Sequence, residues 1–130
     1  MGCWGDRLFQ SDDAFDLIGE MEEAAGFSLY FFNSPKDITK SRANLNEGQL
    51  DRLWARFALS GSHEMLHLVA LAMVCGANLS QSYLQAAKQA LRMTYLPPQS
   101  VAQLRKALLE YPNDGSFWDF EVRFNRSCWG

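Results

Sequence analysis

Residues 63–67 of the chain are HEMLH, and they include its only two histidines. His63, Glu64 and His67 match the pattern H-E-x-x-H, in which two imidazoles four residues apart lie on one face of a helix. Such a pair can hold a zinc ion while the glutamate polarises the metal-bound water. The pattern therefore raises the hypothesis of a zinc-dependent hydrolase.

The rest of the sequence argues against a metal at this position. A catalytic zinc needs a third protein ligand, and the next carboxylate after His67 is Glu110, beyond a whole helix and a Pro-Pro break. His63 also lies at the expected start of a helix, where the first turn is commonly frayed. We therefore expect no cofactor, with zinc as the alternative. In this interpretation His67 is hydrogen-bonded at the edge of the core, and Glu64 complements the positive end of the helix.

A second group of candidate residues is acidic. Asp12, Asp13 and Asp16 lie close together in the sequence, and Asp12 and Asp16 share one face if the segment is helical. Crowded carboxylates can hold a proton near neutral pH and act as general acid and base. With Trp4 they could form a ligand-binding pocket, walled by Trp118 from the other end of the chain. The alternative is a purely structural role, in which Asp12 caps a helix and Trp4 closes the core.

Most of the candidate residues are expected to lie on helices, because apolar side chains recur at helical spacing along most of the chain. The spacing predicts helices at 12–25, from 47 to about 60, at 63–75, from 81 to the Pro-Pro break, and from about 99 to 111. The helix at 63–75 is apolar on almost every side, which is typical of a central helix. Residues 33–46 are polar and contain Pro35, and they are predicted to form a loop.

The predicted fold is all-α, a compact single domain of about five helices around the central helix 63–75. The aromatic N-terminal segment and the C-terminal tail are expected to pack on that helix. The chain has 130 residues, enough to bury one core. We predict a helical domain at 1–120, followed by a mobile tail at 121–130.

Composition narrows the possible functions. The net charge is −3, from 15 acidic and 12 basic residues, and no basic stripe appears. Nucleic-acid binding is therefore not expected, because a phosphate-binding surface needs such a stripe. Membrane association is not expected either, because no apolar stretch reaches transmembrane length. The N-terminus has no apolar signal core, which favours a cytoplasmic protein. Cys75 lies in an apolar run and is expected to be buried.

The N-terminal residues also resemble a known family. The pattern G-x-W-G-x-x-x-F-x-(N/S)-D-x-A-x-D is matched at Gly2, Trp4, Gly5, Phe9, Ser11, Asp12, Ala14 and Asp16. It is similar to the start of a family of small bacterial and fungal proteins of unknown function. Stretches at 45–54, 68–79 and 111–120 resemble the fungal members. The resemblance implies a compact, mostly helical, intracellular domain. For some bacterial members it implies an immunity-type role, in which the protein binds a toxin.

Two further function classes are open on the residues alone. The first is a noncatalytic binding module for a protein partner or a small ligand. It is favoured because no complete catalytic group is visible, while aromatic residues, which are enriched in interface cores, are plentiful at both ends. The second is a small cofactor-free enzyme of isomerase, cyclase or lyase type, with Asp12, Asp16 or His67 as acid or base. Convergence of these side chains on one cavity would favour the enzyme.

Overall fold

The chain is helical in every stretch that the apolar spacing predicts, and in one more. The computed structural model describes residues 12–30, 32, 34–116 and 118. Its α-helices there are α1 (Asp12–Ala25), α2 (Pro35–Asn44), α3 (Leu50–Leu53), α4 (Ser62–Cys75), α5 (Gln81–Met93) and α6 (Pro98–Glu110). Five of these have ten or more residues. The prediction of an all-α domain of about five helices is therefore confirmed.

The central position of α4 is also confirmed. All side chains from Leu66 to Met73 are buried, and α4 contacts α1, α2, α5, α6 and the chain at 54–58. A helix with no polar face must be covered on every side, and these neighbours supply the cover. The predicted start at residue 63 moves by one residue, to Ser62. Within the described ranges, no helix combines the length and apolar character needed to cross a membrane.

The prediction of a loop at 33–46 is wrong, because this region contains α2. Pro35 is in the first turn of α2, where a proline is tolerated because its missing N–H would have no helical partner. Ser41 is buried, and its hydroxyl donates a hydrogen bond to the carbonyl oxygen of Ser28. A short helix with so few apolar residues has no apolar period to detect, so its position depends on tertiary contacts.

Between α2 and α4 the chain forms a kinked helical segment rather than the regular helix predicted from residue 47. Gly48 has a φ of +117°, a left-handed conformation that favours glycine, and the helix axis changes direction there. The segment Leu45–Gln49 before α3 spans this kink, and a π-helical stretch, Trp54–Ala58, follows α3. The stretch Trp54–Ala58 packs against α4. Stretches of π-helix are rare and occur frequently at functional sites.

The C-terminal end of α4 is closed by polar contacts from distant parts of the chain. The Arg42 Nε donates to the carbonyl oxygen of Cys75 at 2.8 Å. The backbone N–H of Trp118 donates to the carbonyl oxygen of Met73, also at 2.8 Å. These bonds satisfy carbonyls that a helix end leaves without intrahelical partners. Cys75 is buried as expected, and burial raises the pKa of its thiol to about 12.

Hydrogen bonds from residues after α6 also hold the connection that follows α4. The Tyr111 hydroxyl donates to the carbonyl oxygen of Ala77 at 2.6 Å, and burial raises the pKa of this phenol to about 12. The side-chain amide of Asn113 pairs with both backbone groups of Leu79, at 2.8 and 2.9 Å. The C-terminal segment through Trp118 therefore packs on the helices, as predicted. The N-terminal residues 1–11 and the tail predicted to be mobile at 121–130 lie outside the described residues.

A substitution at Gly76 tests the packing at the C-terminal end of α4. Its φ is +81°, and an added Cβ would lie 2.9 Å from the carbonyl oxygen of Gly115 and 2.8 Å from the Arg42 Nε. We expect Gly76→Ala to lower the free energy of unfolding by about 1–3 kcal/mol, because alanine is strained in this conformation. The measurement is urea unfolding followed by circular dichroism.

The matched control is Gly19→Ala, because an added Cβ on this α1 residue meets no atom within 4 Å. Because alanine has a higher helix propensity than glycine, we expect Gly19→Ala to raise the free energy of unfolding by up to about 1 kcal/mol. Equal stability of the Gly76→Ala variant and the wild type would show that the end of α4 is not packed as described.

Candidate functional site

The N-terminal end of α4 borders an open cleft of about 470 Å³. The cleft lies between α1, the π-helical stretch Trp54–Ala58 with the turn after it, and the first turn of α4. It is lined by Asp16, Leu17, Glu20, Arg56, Phe57, Ser60, His63 and Glu64. Leu17 is 8% exposed and Phe57 is 5% exposed, so the cleft has an apolar floor and a charged rim.

Helix α1 contributes two carboxylates to the rim. Asp16 and Glu20 are four residues apart, about one turn, and therefore project from the same face of the helix. Both are exposed, whereas Leu17 between them is buried. The apolar side of α1 thus holds the helix against the core and presents its acidic side to the cleft.

Among the described residues that line the cleft, Arg56 is the one permanent cation. The Arg56 guanidinium carbon lies 5.1 Å from the centroid of the Phe57 ring, a position that allows a cation–π attraction. The Ser60 hydroxyl donates to the carbonyl oxygen of Arg56 at 2.9 Å. This bond holds the turn that leads from the π-helical stretch into α4, and so places Arg56 relative to the first turn of α4.

The first turn of α4 supplies Glu64 and His63. The Glu64 Oε1 lies 2.6 Å from the position that a Cβ on Gly61 would occupy. The Glu64 side chain is therefore folded back over the start of the helix, where the positive end of the helix dipole favours a carboxylate. The His63 side chain is half-buried and lines the cleft.

His67 lies in the core and does not line the cleft. It is 1% exposed, and its Nδ1 is 2.8 Å from the carbonyl oxygen of His63. A carbonyl oxygen can only accept, so Nδ1 is the donor of this bond. The two imidazole rings are also in contact, with their centroids 4.3 Å apart and their planes inclined at 47°. The two rings in contact therefore lie in different places: His67 in the core and His63 in the wall of the cleft.

The described residues do not complete the H-E-x-x-H pattern into a metal site. Among them, no group of three or more His, Cys, Asp or Glu side chains is arranged to hold a metal ion. Glu64 folds back towards Gly61, and His67 bonds to the backbone of its own helix. A catalytic zinc requires at least three protein ligands, and the donors present here do not fit it.

The structure brings Asp16 together with His63 and Glu64, although the sequence analysis assigned them to two different hypotheses. Trp118 lies at the other end of α4, half-buried against the core. Because α4 has 14 residues, its two ends are separated by about 20 Å. Trp118 is therefore remote from the cleft.

Three predicted site residues lie outside the description. Trp4 is not among the described residues, and the side chains of Asp12 and Asp13, at the start of α1, are not described either. The ligand-binding pocket predicted from these residues remains a prediction.

Two charged residues of the cleft, Glu20 and Arg56, were not predicted to be site residues. Glu20 could have been found, because it follows Asp16 by one helical turn. Arg56 carries no signal in the sequence, because it reaches the cleft only through the packing of its π-helical stretch on α4.

No protein-family model matches the chain, and no curated protein and no solved structure matches it. The resemblance at residues 2–16 to a bacterial and fungal family therefore stays a prediction. Any function must be argued from the side chains of the cleft.

The different positions of the two histidines give a testable difference in stability. We expect His67→Ala to lower the free energy of unfolding by about 2–4 kcal/mol, because it leaves a cavity in the core. We expect His63→Ala to change it by about 0.5 kcal/mol or less, as for most surface substitutions. Urea unfolding measures both values.

The same unfolding measurements with added zinc chloride test whether the two histidines bind a metal. If the two imidazoles held zinc, the metal would stabilise the wild type by mass action, and either substitution would abolish that gain. We expect no zinc-dependent gain in any of the three proteins. Equal losses of stability in the two variants would contradict the placement of His67 in the core.

Proposed function

We propose that the protein is a noncatalytic binding module whose cleft receives a cationic group of a protein partner or of a small ligand. The observation that carries the proposal is the charge of the rim. Among the described residues that line the cleft, three are carboxylates, Asp16, Glu20 and Glu64, and one is a guanidinium, Arg56. With His63 neutral, the rim therefore has an excess of negative charge, which favours a cation.

The floor of the cleft supports the same ligand class. Leu17 and Phe57 lie beneath the charged rim. A lysine or arginine side chain has an aliphatic stem and a charged head. Its stem would contact this apolar floor while its head meets the carboxylates. The volume of about 470 Å³ falls within the usual range for ligand sites.

The shape of the cleft favours a group that projects from a larger partner. As formed by the described residues, the cleft is open to solvent, so a bound side chain can remain attached to a peptide or protein. Leu59, next to Ser60 in the chain, is 77% exposed and offers an apolar contact outside the cleft. The openness also argues against catalysis, because water weakens the electrostatic stabilisation of a transition state.

A cofactor-free acid–base enzyme is the second candidate. The observation in its favour is that Asp16 and His63 line the same cleft, so His63 would take the role that the sequence analysis gave to His67. The two candidates differ in the fate of the ligand. A binding module returns a ligand unchanged, whereas an enzyme converts it, and proton NMR spectra of the ligand after incubation distinguish them.

Binding is tested with the blocked peptide Gly-Lys-Leu-Lys-Gly and its glutamate counterpart Gly-Glu-Leu-Glu-Gly. In ¹⁵N–¹H NMR titrations we expect the lysine peptide to shift backbone amides around Asp16, Glu20 and His63. Glu20→Gln should weaken its Kd by about two- to fivefold, because an exposed charge pair contributes up to about 1 kcal/mol.

The matched control is Glu110→Gln, which removes the same charge from an exposed position on α6, outside the cleft. It should leave the Kd unchanged. Equal shifts with the glutamate peptide, or equal weakening by the two substitutions, would overturn the proposal.

A further inference from the structure

We infer that His63 makes this cleft responsive to pH, so that protonation of its imidazole releases a bound cation. The inference rests on the proposed function, because it concerns the regulation of the same site. His63 lines the cleft and is partly exposed, so solvent protons reach its ring. Histidine is the side chain whose charge ordinarily changes between about pH 5 and 8.

Each element around the cleft contributes charged or titratable groups that line it together with His63. Helix α1 contributes Asp16 and Glu20, and the π-helical stretch contributes Arg56. Helix α4 contributes Glu64 and the ring of His67. A change in the charge of His63 would therefore be felt by a ligand that contacts these groups.

His67 is a positioning residue for His63. Its buried ring lies 4.3 Å, between centroids, from the ring of His63. Its Nδ1 is bonded to the His63 carbonyl oxygen. A buried ring of this kind restricts the His63 side chain on its inner side, and His63 lines the same cleft as the carboxylates of Asp16, Glu20 and Glu64.

Protonation changes the charge that a ligand meets. With a neutral imidazole, three carboxylates outnumber Arg56 by two charges, and with an imidazolium they outnumber the cations by one. The imidazolium also competes with the ligand for the same carboxylates. For charges a few ångströms apart at a solvated surface, we expect affinity to fall by about three- to tenfold.

The experiment measures the Kd of the blocked peptide Gly-Lys-Leu-Lys-Gly for the full chain at pH 5.5, 6.5, 7.5 and 8.0, at constant ionic strength. For the wild type we expect the Kd to be three- to tenfold weaker at pH 5.5 than at pH 8.0. For His63→Gln we expect the same Kd throughout, because model carboxylates lose their protons below this range.

A second readout follows the histidine itself. The chain has two histidines, and comparison with His63→Gln assigns the His63 imidazole C–H signal in proton NMR spectra. Since binding and protonation are linked reciprocally, saturating peptide should move the titration midpoint of His63 to lower pH. Titration of Glu110→Gln, which keeps the cleft intact, should give the wild-type result.

The outcomes separate the two proposals. If the peptide binds with one Kd across the range, or leaves the His63 midpoint unchanged, the pH response is overturned while the binding function stands. If the peptide binds at none of the four pH values, the proposed function fails, and the pH response fails with it.

Discussion

The burial of a helix that has no polar face determines the arrangement of the other helices. The side chains of α4 from Leu66 to Met73 have almost no contact with water, so α1, α2, α5 and α6 must surround it. Burying a Leu, Val or Met side chain contributes about 1.5–3 kcal/mol. His67 is the one polar side chain in this buried range, and its Nδ1 is hydrogen-bonded to the backbone. The other polar contacts lie at the ends of α4, where the backbone lacks intrahelical partners.

The polar groups at the two ends of α4 have different surroundings. At the C-terminal end, Arg42 and Trp118 bond to the last carbonyls, and the chain closes over Gly76. The N-terminal end stays open to the cleft. The positive end of the helix dipole lies there and favours negative groups, which agrees with the position of Glu64. The proposed cation site borders this N-terminal end, where the carboxylates of Asp16, Glu20 and Glu64 line the cleft.

The long helices could be predicted because their apolar spacing is a local property of the sequence. Helix α2 could not, because it is polar and is fixed by contacts such as the bond from Ser41 to Ser28. The spacing of His63 and His67 predicts a shared helix face, yet residues four apart differ by about 40° around the axis. That rotation, with the position of His63 in the first turn, separates a cleft side chain from a core side chain. Glu20 and Arg56 join the site only through the packing of separate elements.

Native-state hydrogen exchange tests the central claim most directly. If α4 is the helix around which the others pack, amides from Leu66 to Met73 should exchange only through global unfolding. Their exchange free energy should then equal the free energy of unfolding from urea, while the first turn at His63 exchanges much faster. Exchange of the amides from Leu66 to Met73 through local openings of lower free energy would contradict the account.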